Sequence, residues 1–202
     1  MEHYLDNSAT TAVSQKAAEK AYRIMVENYG NPSSLHLKGI NAEKELVAAR
    51  KSVAKKLGAQ SEEIFFTSGG TEANNTALFG VSQAKKRRGN KIIISAVEHS
   101  SIIESAQRLE NDGFEVVRIL PNESGVITPE SVLQEVDENT ILVSVMCVNN
   151  ETGAVMPVGE IFSAVKAKNS EIVCHTDAVQ AFGKIAINAK QLCADLITVS
   201  AH

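Results

Sequence analysis

No apolar run in this 202-residue sequence approaches the roughly 20 residues needed to cross a bilayer; Ile92-Ile93-Ile94 is among the longest. The opening Met1-Glu2-His3-Tyr4 lacks the charged and apolar pattern of a secretory signal. Internal repeats and low-complexity segments are also missing. A soluble, cytoplasmic protein without a membrane partner is the expectation. Cysteine is scarce, with only Cys147, Cys174 and Cys193, odd in number and set in apolar surroundings. That excludes a disulfide framework or a zinc ribbon and predicts three buried thiols. Excess positive charge is lacking too, since the net charge is −4 and the pI about 5.8. The one basic block, Lys85-Lys86-Arg87-Arg88, ends a helical pattern, where positive charge is favourable, and reads as a solvated helix terminus. Nucleic acid is therefore not an expected partner.

What is present is alternation. Strand patterns fall at residues 64–67, 91–95, 115–119, 141–146, 172–176 and 196–200, and helical patterns between them at 71–87, 100–111, 129–136 and 157–168. Upstream, Ser14 is placed to cap a helix, and Ala42, Leu46, Ala49, Val53 and Leu57 share one face of a longer helix that Gly58 ends. The order predicts an α/β fold: a mainly parallel sheet between helices, joined by right-handed crossovers. Ligands of such sheets bind at the carboxyl ends of the strands.

Polar residues gather at those ends. Phe66 to Ala73 reads as a strand, a Gly69-Gly70 bend and a helix start at Thr71. It is either a plain turn or a phosphate cradle built from free backbone N–H groups and the helix dipole. A Walker loop and a dinucleotide fingerprint are both excluded by spacing, which favours a phosphate monoester over a nucleoside triphosphate. His99, Asn150 and Asp177 follow three further strands, Gln180 lies just beyond, and Ser200 and His202 follow the last. A rival reading gathers His99, His175, Asp177 and His202 around a metal. Against it, no helix carries a His-x-x-x-His pair, and Asn150 and Gln180 are weak zinc ligands.

Seven motifs together resemble the cysteine desulfurases, pyridoxal-phosphate enzymes of the class V aminotransferase group. They are Tyr4-Leu-Asp-Asn-Ser-Ala-Thr-Thr11, Gly30-Asn-Pro-Ser-Ser34 with His36, Thr67-Ser-Gly-Gly-Thr-Glu-Ala-Asn-Asn75, Glu98-His99, Val148-Asn-Asn-Glu-Thr-Gly153, His175-Thr-Asp-Ala-Val-Gln180 and Ser200-Ala-His202. The resemblance runs the length of the chain, in order, and implies fold type I, a seven-stranded mainly parallel sheet that is incomplete here. It implies that residues 1–13 belong to a smaller domain and residues 14–202 to the large cofactor domain, in a homodimer.

By motif match, Gly70, Thr71, Ser200 and His202 would hold the cofactor phosphate, and His99 would stack on the ring and serve in proton transfer. Asp177 would pair with the ring nitrogen, Gln180 would bond the phenolic oxygen, and Asn150 would lie beside that oxygen and the substrate carboxylate. An acid at Asp177 suits an electron sink, because pairing favours the protonated ring by a few pKa units, each worth about 1.4 kcal/mol. The implied substrate is L-cysteine, converted to L-alanine and an enzyme persulfide for iron–sulfur or thio-cofactor assembly, with a sulfur-acceptor protein as partner. Selenocysteine lyases and small-amino-acid aminotransferases are the near alternatives, and a non-catalytic interaction module the distant one. In the family the Schiff-base lysine directly follows the Ser-Ala-His motif, at what would be position 203, and the nucleophilic cysteine lies much further on. Residues 1–202 alone are accordingly expected not to turn over.

Overall fold

A computed structural model describes residues 3–201. The chain forms two compact units, one ending at Phe65 and the other spanning Phe66–Ala201. The first holds α1 (Gln15–Val26) and α2 (Leu37–Leu57). Ser14 caps α1, its Oγ accepting from Ala17 N at 3.3 Å. Gly58 closes α2 in the left-handed region at φ 67°, which costs a glycine little.

The second unit is the sheet. Its strands are β1 (Lys91–Ser95), β2 (Glu115–Ile119), β3 (Thr140–Ser144), β4 (Val173–Asp177) and β5 (Leu196–Thr198). Its helices are α3 (Gly70–Lys85), α4 (Ser100–Asn111), α5 (Pro129–Glu135) and α6 (Val158–Lys168). The order is β2-β1-β3-β4-β5 and every pairing is parallel. From β1 the chain steps to one side to make β2 and then back across to β3, so right-handed crossovers place α4 on one face and α5 and α6 on the other. Both faces being covered, β1 and β3 are buried along their whole length. Ile92, Ile94 and Leu142 form one core with Leu78 of α3 and Ile102, Ala106 and Leu109 of α4.

The parallel α/β reading thus holds, with five strands of the implied seven among the described residues. Residues 64–67 are a correction: they are not a strand of the sheet. The run has the apolar side chains of a strand, but strand identity also needs a backbone ladder, and the sheet ladders join only β1 to β5. Phe65, 82% exposed, is no core residue. The basic run ends α3 as read, with Lys86, Arg87 and Arg88 exposed, and three of its side chains are also tethered. Lys85 Nζ donates to Glu171 O at 2.6 Å, Arg88 pairs with the Glu171 carboxylate, and Lys86 Nζ sits over Phe114 at 5.6 Å from the ring centre.

At the amino end of β1, Lys91 is buried and its Nζ faces Asp137 at 3.0 Å, Glu115 at 3.7 Å and Glu135 at 3.8 Å. Burial disfavours the ammonium, but the bond and charge of Asp137 and the two glutamates outweigh it and raise its pKa. Removing one member strands the others, so Lys91→Ala is expected to lower stability by about 2 kcal/mol in urea unfolding. Equal midpoints for the variant and the wild type would show that the cluster contributes nothing.

Candidate active site

The side step of the chain between β2 and β3 opens a crevice between the carboxyl ends of β1 and β3, the place where open α/β sheets bind ligands. The two strand tips are tied across it. Glu98, just after β1, accepts at Oε1 from Ser95 Oγ and from Met146 N, both at 2.6 Å. Asn149, after β3, donates from Nδ2 to Val97 O at 2.9 Å, while its Oδ1 accepts from Glu151 N at 3.0 Å and Thr152 N at 2.8 Å. One asparagine thereby folds the loop carrying half-buried Asn150 and fastens it to the loop carrying His99. Burial raises the Glu98 carboxyl to about 8, opposed by the bonds from Ser95 and Met146 and assisted by the charge of Asp177.

Asp177 ends β4 and is buried. Its carboxylate is held by neutral donors: Val179 N to Oδ1 at 2.9 Å and Asn74 Nδ2 to Oδ2 at 2.7 Å. Asn74, on α3, also gives an N–H to Ser101 Oγ at 2.9 Å, and Ser101 Oγ lies 2.9 Å from His99 Nδ1. His99 itself is the N-cap of α4, its Nδ1 accepting from Ser101 N at 3.2 Å. Asp177 and His99, 78 positions apart in sequence, are thus joined through two intermediate side chains.

Gly70 opens α3, whose first-turn N–H groups have no partner within the helix. A Cβ at Gly70 would lie 3.1 Å from Val179 Cγ2 and 4.0 Å from Thr198 Cγ2, so a larger residue here would require the Val179 side chain to give by a few tenths of an ångström. Thr71 follows and is exposed. Gln180, half-buried beyond β4, accepts at Oε1 from Lys184 Nζ at 2.9 Å. Ser200 is half-buried in the segment after β5, and His202 lies outside the described residues. Asp177 and His99 are therefore linked by hydrogen bonds and Gly70 lies beside Val179, two residues past Asp177, whereas Asn150 and Ser200 are placed only by their strand tips.

His175 does not behave as a metal ligand. Its ring bridges Ser144 Oγ at 2.9 Å and Thr198 Oγ1 at 3.1 Å, joining β3, β4 and β5, and burial lowers its pKa to about 4. Among the described residues no group of three or more His, Cys, Asp or Glu side chains is placed to hold a metal ion. Cys147 and Cys174 are buried as expected, but Cys193 is only half-buried, in a turn with φ 52°, because it lies in the connection before β5 rather than in a strand. Asn74, Ser101 and Glu98 were absent from the sequence-based site. Asn74 carries a readable signal, being four residues after Gly70 and so on the same face of α3.

Glu98 and His175 give the unit opposite pH dependences. Above pH 4.5 the unfolded chain releases a proton that folded Glu98 keeps up to about 8, so stability falls as pH rises through that range. Below pH 6.5 the unfolded chain takes up a proton that folded His175 refuses down to about 4, so stability falls as pH drops. The two slopes, each about 1.4 kcal/mol per pH unit, cancel between pH 4.5 and 6.5. Unfolding midpoints are expected to plateau there, and Glu98→Gln is expected to flatten the alkaline decline while leaving the acid one. An unchanged alkaline decline in that variant would remove Glu98 as its source.

The Aminotransferase class-V family model matches residues 3–202. The chain is 44% identical over 199 residues to the cysteine desulfurase IscS of Clostridium botulinum (strain Kyoto / Type A2), a match covering 98% of this chain and 50% of that protein. Among solved structures, a NifS-like protein superposes with a TM-score of 0.97 at 40% identity, over 100% of this chain and 55% of that one. SspA in complex with cysteine does so with a TM-score of 0.93 at 33% identity, over 98% and 57%. The chain spans about half the length of the curated relatives it matches, and its sheet is a partial version of the fold type I sheet. With the match running through every strand tip described above, the chain belongs to the class-V aminotransferase family, a family of pyridoxal-phosphate enzymes.

Proposed function

We propose that the whole protein is a cysteine desulfurase. It moves the sulfur of L-cysteine to a protein thiol, leaving L-alanine and a persulfide that serves iron–sulfur cluster or thio-cofactor assembly. The observation that carries this reading is the buried Asp177 carboxylate, held by Asn74 and Val179 N and forming no ion pair among the described residues. Such a donor set fits a cationic ring nitrogen, which pyridoxal phosphate provides. The likeness to IscS and to SspA, solved with cysteine, supports the choice of substrate.

When bound, the cofactor supplies an electron sink for the bonds at the substrate α-carbon. Asp177 would keep the ring nitrogen protonated by pairing with it. Gly70 and Thr71 would offer first-turn N–H groups of α3 to the phosphate, where the helix dipole favours negative charge, with Ser200 and His202 as its further holders. Gln180, whose amide oxygen accepts from Lys184 Nζ, would donate from nitrogen to the phenolic oxygen, with Asn150 as a second amide for that oxygen. His99 would stack on the ring and hold or move a proton in the reaction.

The proposal also places residues 1–13 in a smaller domain and 14–202 in the large one, in a cytoplasmic homodimer served by a sulfur-acceptor protein. Exposed apolar side chains on the first unit, among them Tyr29, Leu35 and Leu37, support self-association. The whole protein with pyridoxal phosphate is expected to release alanine from cysteine, and Asp177→Ala to slow this by about 100-fold or more, roughly 2.7 kcal/mol. Cofactor binding without alanine release from cysteine would overturn the reading. Turnover of selenocysteine alone, or of an amino acid with a keto acid, would assign a sister activity.

A further inference from the structure

We propose that Asn74 and Ser101 are positioning residues that transmit the acceptor character of Asp177 to His99, fixing the neutral imidazole with its hydrogen on Nε2. The inference rests on the proposed reading only for what His99 does; the relay itself stands on the chain's own hydrogen bonds.

The direction of each bond is set by chemistry. The Asp177 carboxylate accepts, so the Asn74 group 2.7 Å from Oδ2 is the amide nitrogen and not its oxygen. A flipped amide would set two oxygens against each other. The second N–H of that nitrogen then points to Ser101 Oγ at 2.9 Å, and the serine oxygen accepts it. The serine oxygen keeps a second lone pair, but His99 Nδ1, 2.9 Å away, already faces a group that cannot accept, so the Ser101 hydroxyl turns its own hydrogen to that nitrogen. Ser101 N, which can only donate, reaches the same Nδ1 at 3.2 Å. Nδ1 is thus an acceptor from two directions, and the hydrogen of the neutral ring sits on Nε2.

The arrangement has a visible cost. Asn74 is 1% exposed, and its Oδ1 is buried without a partner among the described residues. An asparagine placed merely to fill the core would not leave its oxygen orphaned while spending both N–H groups of one nitrogen. The neighbouring Asn75 is different: its Oδ1 accepts from Ser105 Oγ at 2.6 Å and it stands outside the relay.

The test is long-range proton–nitrogen NMR of the histidine-labelled whole protein at pH 7.5, with His99→Asn to assign the signal. His99 is expected as the Nε2–H form, with Nδ1 shifted upfield as a hydrogen-bond acceptor. Asn74→Ala and Ser101→Ala are each expected to move the Nδ1 resonance downfield, toward an unbonded imine nitrogen, and Asn75→Ala to leave it in place. A wild-type ring carrying its hydrogen on Nδ1 would overturn the relay, even if no variant folded. So would an Nδ1 resonance unmoved by Asn74→Ala. Neither result depends on cofactor or turnover, so a protein that fails to bind pyridoxal phosphate would sink the proposed function while leaving the relay standing.

Discussion

A buried carboxylate held by uncharged neighbours is the constraint on which the second unit depends. Burying an acid is costly unless donors surround it, and Asp177 receives a backbone N–H from its own strand end and an amide N–H from α3. The second bond fixes where α3 starts relative to β4, and Gly70 suits that start, because a Cβ there would crowd Val179 Cγ2. The first turn of α3 and the tips of β4 and β5 come together for the same reason. Glu98 extends the pattern to β1 and β3, burying a second carboxyl close enough to Asp177 to feel its charge. Its high pKa leaves it neutral below about 8, so the two acids do not repel each other as a pair of anions.

Much of this was legible in the sequence. Periodicity placed β1, β2 and α4 at their observed bounds and the other helices of the sheet unit within two residues, because segments buried on one stripe or on both faces carry their burial in their residue types. The rule that ligands sit at carboxyl strand ends singled out His99 and Asp177, whereas Gly70 was singled out behind a run, 64–67, that is no strand of the sheet. What periodicity cannot supply is a partner. Residues 64–67 have the composition of a strand and lie outside the sheet, and Cys193 sits in a left-handed turn that its apolar neighbours did not announce.

Asn74 and Ser101 escaped for a related reason. Each is an ordinary polar residue in a first or second helical turn, where the prior expectation is solvent or a cap. Their meaning comes from hydrogen bonds spanning 103 and 27 positions, and no local pattern encodes those. The rival metal reading drew on the place of His175 near Asp177 on one strand, which is real, but its two nitrogens face hydroxyls of the flanking strands.

β1 is anchored at both tips by ionisable groups of different kinds, Lys91 among three carboxylates at one end and the Glu98 carboxyl on Met146 N at the other. The six apolar or small residues between them, Ile92 to Val97, are nearly interchangeable to the neighbouring strands, which by themselves would tolerate sliding by two positions. Sliding would drag the lysine away from its acids and the glutamate off its amide together. The ladder is thereby keyed like a two-pin plug, and a slipped register of this interior strand would lose both anchors at once.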